Sequence, residues 1–113
     1  MNKIIINNCY GGATLSLRAM KRVCKAKNIE YRVIKEDRYN YLETIDGVYI
    51  TIHDFERHDK DIVNVVEQLG KAASGSYSDL IVVEIEGNKY KIEEYDGVEN
   101  IVEPEAIEWK VII

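Results

Sequence analysis

A short segment near the N-terminus combines residue types that can hold or attack a negatively charged ligand. Cys9, Tyr10, Gly11 and Gly12 follow a run of isoleucines that reads as a buried strand. A thiolate is a nucleophile, a tyrosine ring can stack on a base, and glycine lets the backbone approach a ligand closely. We therefore predict a ligand-binding turn at residues 9–12.

Arginines near this turn favour an anionic ligand. Thr14 and Ser16 are good N-cap residues, and apolar residues then recur at helical spacing. The first amides of a helix lack partners within it and attract phosphate. Arg18 and Arg22 lie on the polar face of this helix, and Arg57 is a further cation before a second helix. Since arginine binds phosphate through paired hydrogen bonds, the sequence predicts a phosphate cradle.

Two plainer interpretations compete with this cradle. The chain has no GxGxxG and no P-loop signature, and a double glycine also serves to pack a helix tightly on a strand. Nucleophilic catalysis by Cys9 needs a neighbouring base, but His53 and His58 are distant in sequence. A small buried thiol is the simpler role for Cys9, and no enzyme activity is predicted.

Two other polar segments carry ionisable residues. HDFERHD, residues 53–59, contains possible metal ligands, but a polar loop that ends in an N-cap aspartate explains it better. In EEYDG, residues 93–97, the two glutamates point to opposite faces of a strand and cannot act together. Asp96-Gly97 is a turn signal, and Tyr95 is expected to wall a pocket. Neither a metal nor a cofactor is expected.

Composition and charge limit the remaining functions. The 113 residues suit a single domain, 1–113, and 46% of them are hydrophobic. The net charge is −5, yet residues 1–38 hold nine basic and three acidic residues. An acidic chain argues against binding to duplex DNA. The chain has no apolar run long enough for a membrane span and no signal-peptide pattern, so a cytoplasmic location is expected without disulfides.

The pattern of elements predicts an α+β fold. Two amphipathic helices are expected, one from about Thr14 to Lys27 and one between Asp59 and Gly75. The predicted strands are residues 3–7, 31–34, 41–45, 48–52, 80–85, 90–95, 98–102 and 107–113, with hairpin turns at Asp46-Gly47 and Asp96-Gly97. We therefore expect two helices packed on one face of a mainly antiparallel sheet of about six strands.

Three longer stretches resemble a family of small proteins encoded by bacteriophages and prophages. They are KIIINNCYGGATLS at residues 3–16, RHDKDIVNVVEQLGKAASG at residues 57–75 and VVEIEGNKYKIEEYDGVENIVEPEAIEW at residues 82–109. Together they cover more than half of the chain. Relatives tend to have an aromatic residue where Ala13 stands, and they often have proline where Lys60 stands.

This resemblance implies a role against bacterial defence. Small phage proteins that have no role in the virion often act on host defence, and some sequester the cyclic nucleotides that carry immune signals. The first hypothesis is therefore a non-enzymatic sponge for a cyclic dinucleotide or a cyclic ADP-ribose derivative, in an infected or lysogenic bacterium. A module that blocks a host protein through its acidic face is the second hypothesis, and a cysteine-dependent nucleotide hydrolase is the third.

The expected end of the chain favours self-association. Val111, Ile112 and Ile113 end the last predicted strand and would expose an apolar edge if it were unpaired. We therefore expect a homodimer or homotetramer with ligand pockets at or near an interface.

Overall fold

The fold is α+β, with its strands split into small antiparallel sheets. A computed structural model describes residues 1–37, 40–104 and 112. The strands are β1 (Asn2–Asn7), β2 (Tyr31–Lys35), β3 (Asn40–Thr44), β4 (Leu80–Ile85), β5 (Lys91–Tyr95) and β6 (Val98–Val102). The α-helices are α1 (Leu17–Ala26) and α2 (Lys60–Leu69), and short 3₁₀ helices span Ile52–Asp54 and Gly70–Ala73.

The pairing of the strands differs from the single sheet that the sequence predicts. In the described part of the chain, β1 pairs with β4, β2 with β3, and β5 with β6, each pair antiparallel. The strand predicted at 48–52 forms only in part: the Thr44 amide donates to the Val48 carbonyl at 2.8 Å, the Ile50 amide donates to the Leu42 carbonyl at 3.0 Å, and the chain then turns into the 3₁₀ helix at Ile52. The predicted strand 107–113 lies outside the described residues except for Ile112.

The β1–β4 sheet lies between the helices and the β5–β6 hairpin. Ile5 belongs to the apolar cluster that includes α1 and α2, whereas Ile4 and Ile6 pack with Ile92 and Ile101 of the hairpin. Alternate side chains of a strand point to opposite faces, so β1 is covered on both sides. This explains why its sequence is a continuous apolar run and not an alternating one.

Both helices begin at side chains that cap their free amides. The hydroxyl of Ser16 accepts from the Ala19 amide at 3.1 Å. Asp59 accepts from the amides of Asp61 and Ile62 at 2.9 and 3.3 Å. Asp59 also pairs with Lys27 at 2.5 Å, which ties the end of α1 to the start of α2. These two caps confirm helix starts that the sequence predicts.

The end of α2 and the last hairpin turn also follow from local sequence, with one correction. The helix ends at Gly70, which has a φ of 57°, and not near Gly75. Gly75 instead packs closely against Thr14. The Asp96-Gly97 turn is confirmed, since β5 and β6 pair around it and both residues have positive φ. No helix in the described ranges is long and apolar enough to cross a bilayer.

Candidate functional site

The turn at residues 9–12 does not form the open cradle that the sequence predicts. Helix α1 begins at Leu17, well after Gly12, so its free amides do not belong to the glycine turn. The Gly11 amide donates to the Asp96 carbonyl at 3.2 Å. A Cβ built on Gly97 would lie only 2.3 Å from the Gly12 nitrogen and 2.5 Å from the Gly11 nitrogen. The β5–β6 turn therefore covers the amides that were expected to hold phosphate.

Arg57 is not available to a ligand either. Its two terminal nitrogens contact the two carboxylate oxygens of Glu99 at 2.5 and 2.9 Å, and it also donates to the Ile5 carbonyl at 3.3 Å. The side chains of Arg57 and Glu99 are only 11% and 8% exposed. Such a bidentate, largely buried pair fixes geometry, so the structure places the Arg57 guanidinium against Glu99 and away from the glycine turn.

A buried asparagine explains why this end of the molecule is closed. The Asn7 side chain is fully buried. Its amide nitrogen donates to the carbonyls of Cys9 and Gly97 at 2.8 and 2.7 Å. Its oxygen accepts from the Asp79 amide and the Ser78 hydroxyl at 2.8 and 3.2 Å. The side chain thereby makes four hydrogen bonds that join three separate segments, which is its full capacity.

The remaining predicted site residues are spread over the surface. Arg18 and Arg22 are exposed on α1, and neither forms an ion pair with another described residue. Tyr10 and Tyr95 are 68% and 74% exposed beside the glycine turn. The Cys9 thiol is half-buried and donates to the Tyr10 carbonyl at 3.4 Å. The turn therefore gathers Cys9, Tyr10 and Tyr95 without enclosing a pocket.

A concave surface large enough for a ligand lies at the other end of β1. A cleft of about 530 Å³, hereafter the edge cleft, is lined by residues 1–4 at the start of the chain, which include the first three residues of β1. Helix α2 and the segment that joins β4 to β5 line its other sides. Small-molecule sites usually have volumes of about 300–1,000 Å³, so the edge cleft is large enough. A second cleft beside Leu17 and Tyr49 is about 160 Å³ and falls below that range.

The edge cleft has an apolar base with a polar rim. Ile4, Val63 and Ile85 are each at most 5% exposed and supply the base. The wall from α2 consists of Lys60, Val63, Asn64 and Glu67. These four residues recur at positions i, i+3, i+4 and i+7, which places them on one side of the helix. Asn2 and Asn88 complete the rim.

One edge of β1 has no partner strand among the described residues, and it supplies backbone groups to the edge cleft. The Ile5 amide donates to the Arg57 carbonyl at 2.8 Å, and the Asn7 amide donates to Glu99 at 2.8 Å. The backbone N–H groups of residues 5 and 7 thus point away from β4. Because the hydrogen-bonding direction alternates along an antiparallel strand, Lys3 also faces away from β4. Its N–H and C=O are a neighbouring donor and acceptor at the base of the edge cleft.

Charged and aromatic side chains complete the site. The Lys3 ammonium pairs with Glu67 at 2.9 Å, which raises the pKa of Lys3. Lys60 is exposed and has no ion-pair partner among the described residues. His58 Nδ1 lies 2.6 Å from the Tyr90 hydroxyl, and the two rings meet edge to face. Burial is the main cause that raises the pKa of Tyr90, so its hydroxyl remains protonated near neutral pH.

The sequence reasoning missed this site because its parts are remote from one another. Its key side chains come from positions 3, 58, 60 and 90. The only local signal was the HDFERHD segment, where His58 was interpreted as part of a polar loop. The chain matches no protein-family model, and neither a curated protein nor a solved structure shows significant similarity to it.

Proposed function

We propose that the protein is a non-enzymatic binding protein that sequesters a nucleotide second messenger in the edge cleft. The ligand class is a cyclic dinucleotide or a cyclic ADP-ribose derivative. The proposed activity lies in the cytoplasm of an infected or lysogenic bacterium, where it would counter antiviral signalling; the resemblance to phage proteins supports this part of the proposal. The single observation that carries the proposal is a cleft of about 530 Å³ that joins an apolar base with a lysine and a strand edge, both of which lack partners in the described part of the chain.

The base and edge of the cleft suit a nucleobase. Ile4, Val63 and Ile85 offer an apolar surface, and the Tyr90 ring offers an aromatic one. A nucleobase presents neighbouring donors and acceptors on its edge, which complement the N–H and C=O of Lys3. Aromatic stacking contributes about 1–3 kcal/mol per base, so Tyr90 is well placed to add affinity.

The rim of the cleft suits a phosphate group. Lys60 stands at the first position of α2, and its ammonium group has no ion-pair partner in the described part of the chain. Asn64 lies one helical turn further along the same wall. A charged donor with a neutral amide beside it can hold a phosphate oxygen through charge-assisted hydrogen bonds. Glu67 is already engaged by Lys3, which reduces its repulsion of an anion.

The cleft is also organised for binding before a ligand arrives. Lys3 is held by both oxygens of Glu67, and Tyr90 is held by His58. Tight binding requires that few side chains be ordered at the moment of association. Sequestration needs only this ground-state affinity, whereas catalysis would need stronger contacts to a transition state.

The proposal is tested by screening ligands and recovering what is bound. The intact chain is heated in the presence of cyclic dinucleotides, cyclic trinucleotides and cyclised ADP-ribose isomers, and the unfolding midpoint is followed. A bound ligand raises the midpoint by mass action. The ligand is then released by heat and examined by mass spectrometry. Intact release supports a sponge, altered product would assign a hydrolase, and the absence of any shift would contradict nucleotide binding.

A charge-reversal pair locates the site. Lys60→Glu places a carboxylate on the rim and should raise the Kd at least about tenfold, equivalent to about 1.4 kcal/mol. Lys71→Glu makes the same charge change at an exposed position that does not line the edge cleft. Equal effects of the two variants on affinity would show a nonspecific attraction and would contradict the assigned site.

A further inference from the structure

Three exposed tyrosines lie around the glycine turn at residues 9–12, which is not part of the edge cleft. Tyr10, Tyr77 and Tyr95 are 68%, 82% and 74% exposed, and together they are named the tyrosine patch. A single exposed aromatic ring is ordinary, but a group of them marks an interaction surface. Tyrosine is enriched in such surfaces because one end of its ring is apolar and the other is polar.

Backbone contacts show that the three tyrosines belong to one surface. A Cβ built on Gly11 would lie 2.6 Å from the backbone carbonyl oxygen of Tyr77 and 2.8 Å from the Tyr77 Cβ. The Gly11 amide donates to Asp96, the residue after Tyr95, at 3.2 Å. Consecutive Cα atoms are about 3.8 Å apart, so the Cα atoms of all three tyrosines lie within about 10 Å of Gly11.

The tyrosine patch is surrounded by acidic residues. Asp79, Glu94 and Asp96 lie within two residues of Tyr77 or Tyr95, and none of them forms an ion pair with another described residue. The ammonium group of the neighbouring Lys91 lies 3.7 Å from a carboxylate oxygen of Glu93. An aromatic surface with uncompensated carboxylates attracts cations, arginine above all, and repels phosphate. The partner of this surface is therefore basic.

A matching basic surface lies on the same chain. The polar side of α1 carries Arg18, Lys21, Arg22 and Lys25, hereafter the basic face. These four side chains form no ion pair with any other described residue. Arg18, Arg22 and Lys25 are exposed, and Lys21 is partly buried. Since the basic face and the tyrosine patch are both unpaired, each is a fitting partner for the other in a second molecule.

We propose that the protein self-associates by docking the basic face of one copy onto the tyrosine patch of another. Arg18 and Arg22 would stack on the tyrosine rings and pair with Asp79 and Asp96. The contact joins two different surfaces, so it builds a closed ring or dimer where the rotation between copies closes. It uses neither the residues nor the ligand of the edge cleft, and it stands or falls independently of nucleotide binding.

Sedimentation velocity with complementary variants tests this docking. Tyr77→Ser with Tyr95→Ser removes two of the three rings of the tyrosine patch, and Arg18→Glu with Arg22→Glu reverses two of the four charges of the basic face. Each double variant alone should be monomeric, whereas the wild type associates and loses this association at high salt. Mixing the two double variants should restore a 1:1 heterodimer, because one supplies an intact basic face and the other an intact patch.

Several results would overturn the proposal. A wild type that is monomeric at every concentration excludes self-docking, and so does a mixture that gives no heterodimer. Lys71→Glu is the charge control and should associate like the wild type. If the serine variant loses its cooperative thermal transition, Asp79→Asn with Asp96→Asn replaces it, because asparagine keeps the size of the side chain and tolerates the positive φ of Asp96. Undiminished association of that variant would contradict the docking.

Discussion

The two ends of strand β1 belong to the same sheet edge, but their surroundings are opposite. At its C-terminal end, Asn7 and its neighbours are covered by side chains and by the β5–β6 turn. At its N-terminal end, Lys3 borders a cleft of about 530 Å³. A row of unpaired strand groups must be covered or left to water. In the described part of the chain, the molecule covers one half of the row and leaves the other half without a partner.

The covered end is held by groups that are hydrogen-bonded to one another. Glu99 accepts from Arg57 and from the Asn7 amide, and Asn7 in turn holds Gly97. The polar groups of the edge cleft are different, since the side chains of Lys3 and Glu67 are each 40% exposed to solvent. Rigid burial at one end and solvated groups at the other distinguish the structural network from the proposed binding site.

The largest expected effect comes from breaking the buried pair at the covered end. Glu99→Ala leaves the Arg57 guanidinium buried without its carboxylate and leaves the Asn7 amide without an acceptor. Removing one partner of a buried pair costs about 3–5 kcal/mol, so the urea midpoint should fall sharply. The control is Glu93→Ala, whose carboxylate is exposed and lies 3.7 Å from Lys91. Similar losses for both variants would show that the Arg57–Glu99 pair is unimportant.

A smaller loss is expected when the close contact between two turns is filled. Gly97→Ala places a Cβ about 2.3 Å from the Gly12 nitrogen at a φ of 92°. Strain and overpacking together should cost about 2–3 kcal/mol of unfolding free energy. Gly87→Ala is the matched control, because its nearest neighbour is a flexible Glu103 oxygen at 3.8 Å. Unchanged stability of Gly97→Ala in thermal unfolding would mean that the turns are not in contact.

Local sequence predicts the covered end in part and the edge cleft hardly at all. The strand β1, the cap at Ser16 and the Asp96-Gly97 turn are encoded by neighbouring residues, so periodicity and turn chemistry find them. Arg57 and Glu99 are 42 residues apart, and the sequence gives no sign that they meet. Arg57 was accordingly predicted to face a ligand, whereas its guanidinium pairs with Glu99 in the structure.

The split of the strands into three sheets was missed for a related reason. The hairpin signals at Asp46-Gly47 and Asp96-Gly97 predict local pairing but not which hairpin joins which sheet. The β2–β3 hairpin packs on α1 through Leu42 and Cys24, and the β5–β6 hairpin covers the opposite face of β1 through Ile92. Each hairpin buries its apolar side against a different layer, and only tertiary packing decides this.

The cap of α2 predicts a pH-dependent effect next to the edge cleft. Burial raises the pKa of Asp59, but hydrogen bonds from Lys27 and from the amides of Ile62 and Asp61 outweigh it and hold the pKa below 3.8. The unfolded chain therefore takes up the proton first as the pH falls. The stabilisation by the Asp59 carboxylate is complete above its ordinary pKa and is lost as the pH falls through the folded pKa.

Asp59→Ala should cost about 1 kcal/mol at neutral pH and should remove this part of the acid dependence. Urea unfolding between neutral pH and the acid limit measures both effects. Asp37→Ala, at an exposed position, serves as the control and should leave the acid dependence unchanged. An acid dependence that Asp59→Ala leaves unaltered would contradict the role of the carboxylate.

The assignment of the two ends is tested most directly by the hydrogen exchange of single amides, followed by NMR with and without the nucleotide that the screen selects. The Lys3 amide should exchange quickly in the free protein and slow markedly when ligand is added. The amides of Ile5, Asn7 and Gly11 should be protected in both states, since each already has an acceptor. Slow exchange of Lys3 in the free protein, or ligand-induced protection confined to Gly11 and Gly12, would place the binding site at the other end of β1.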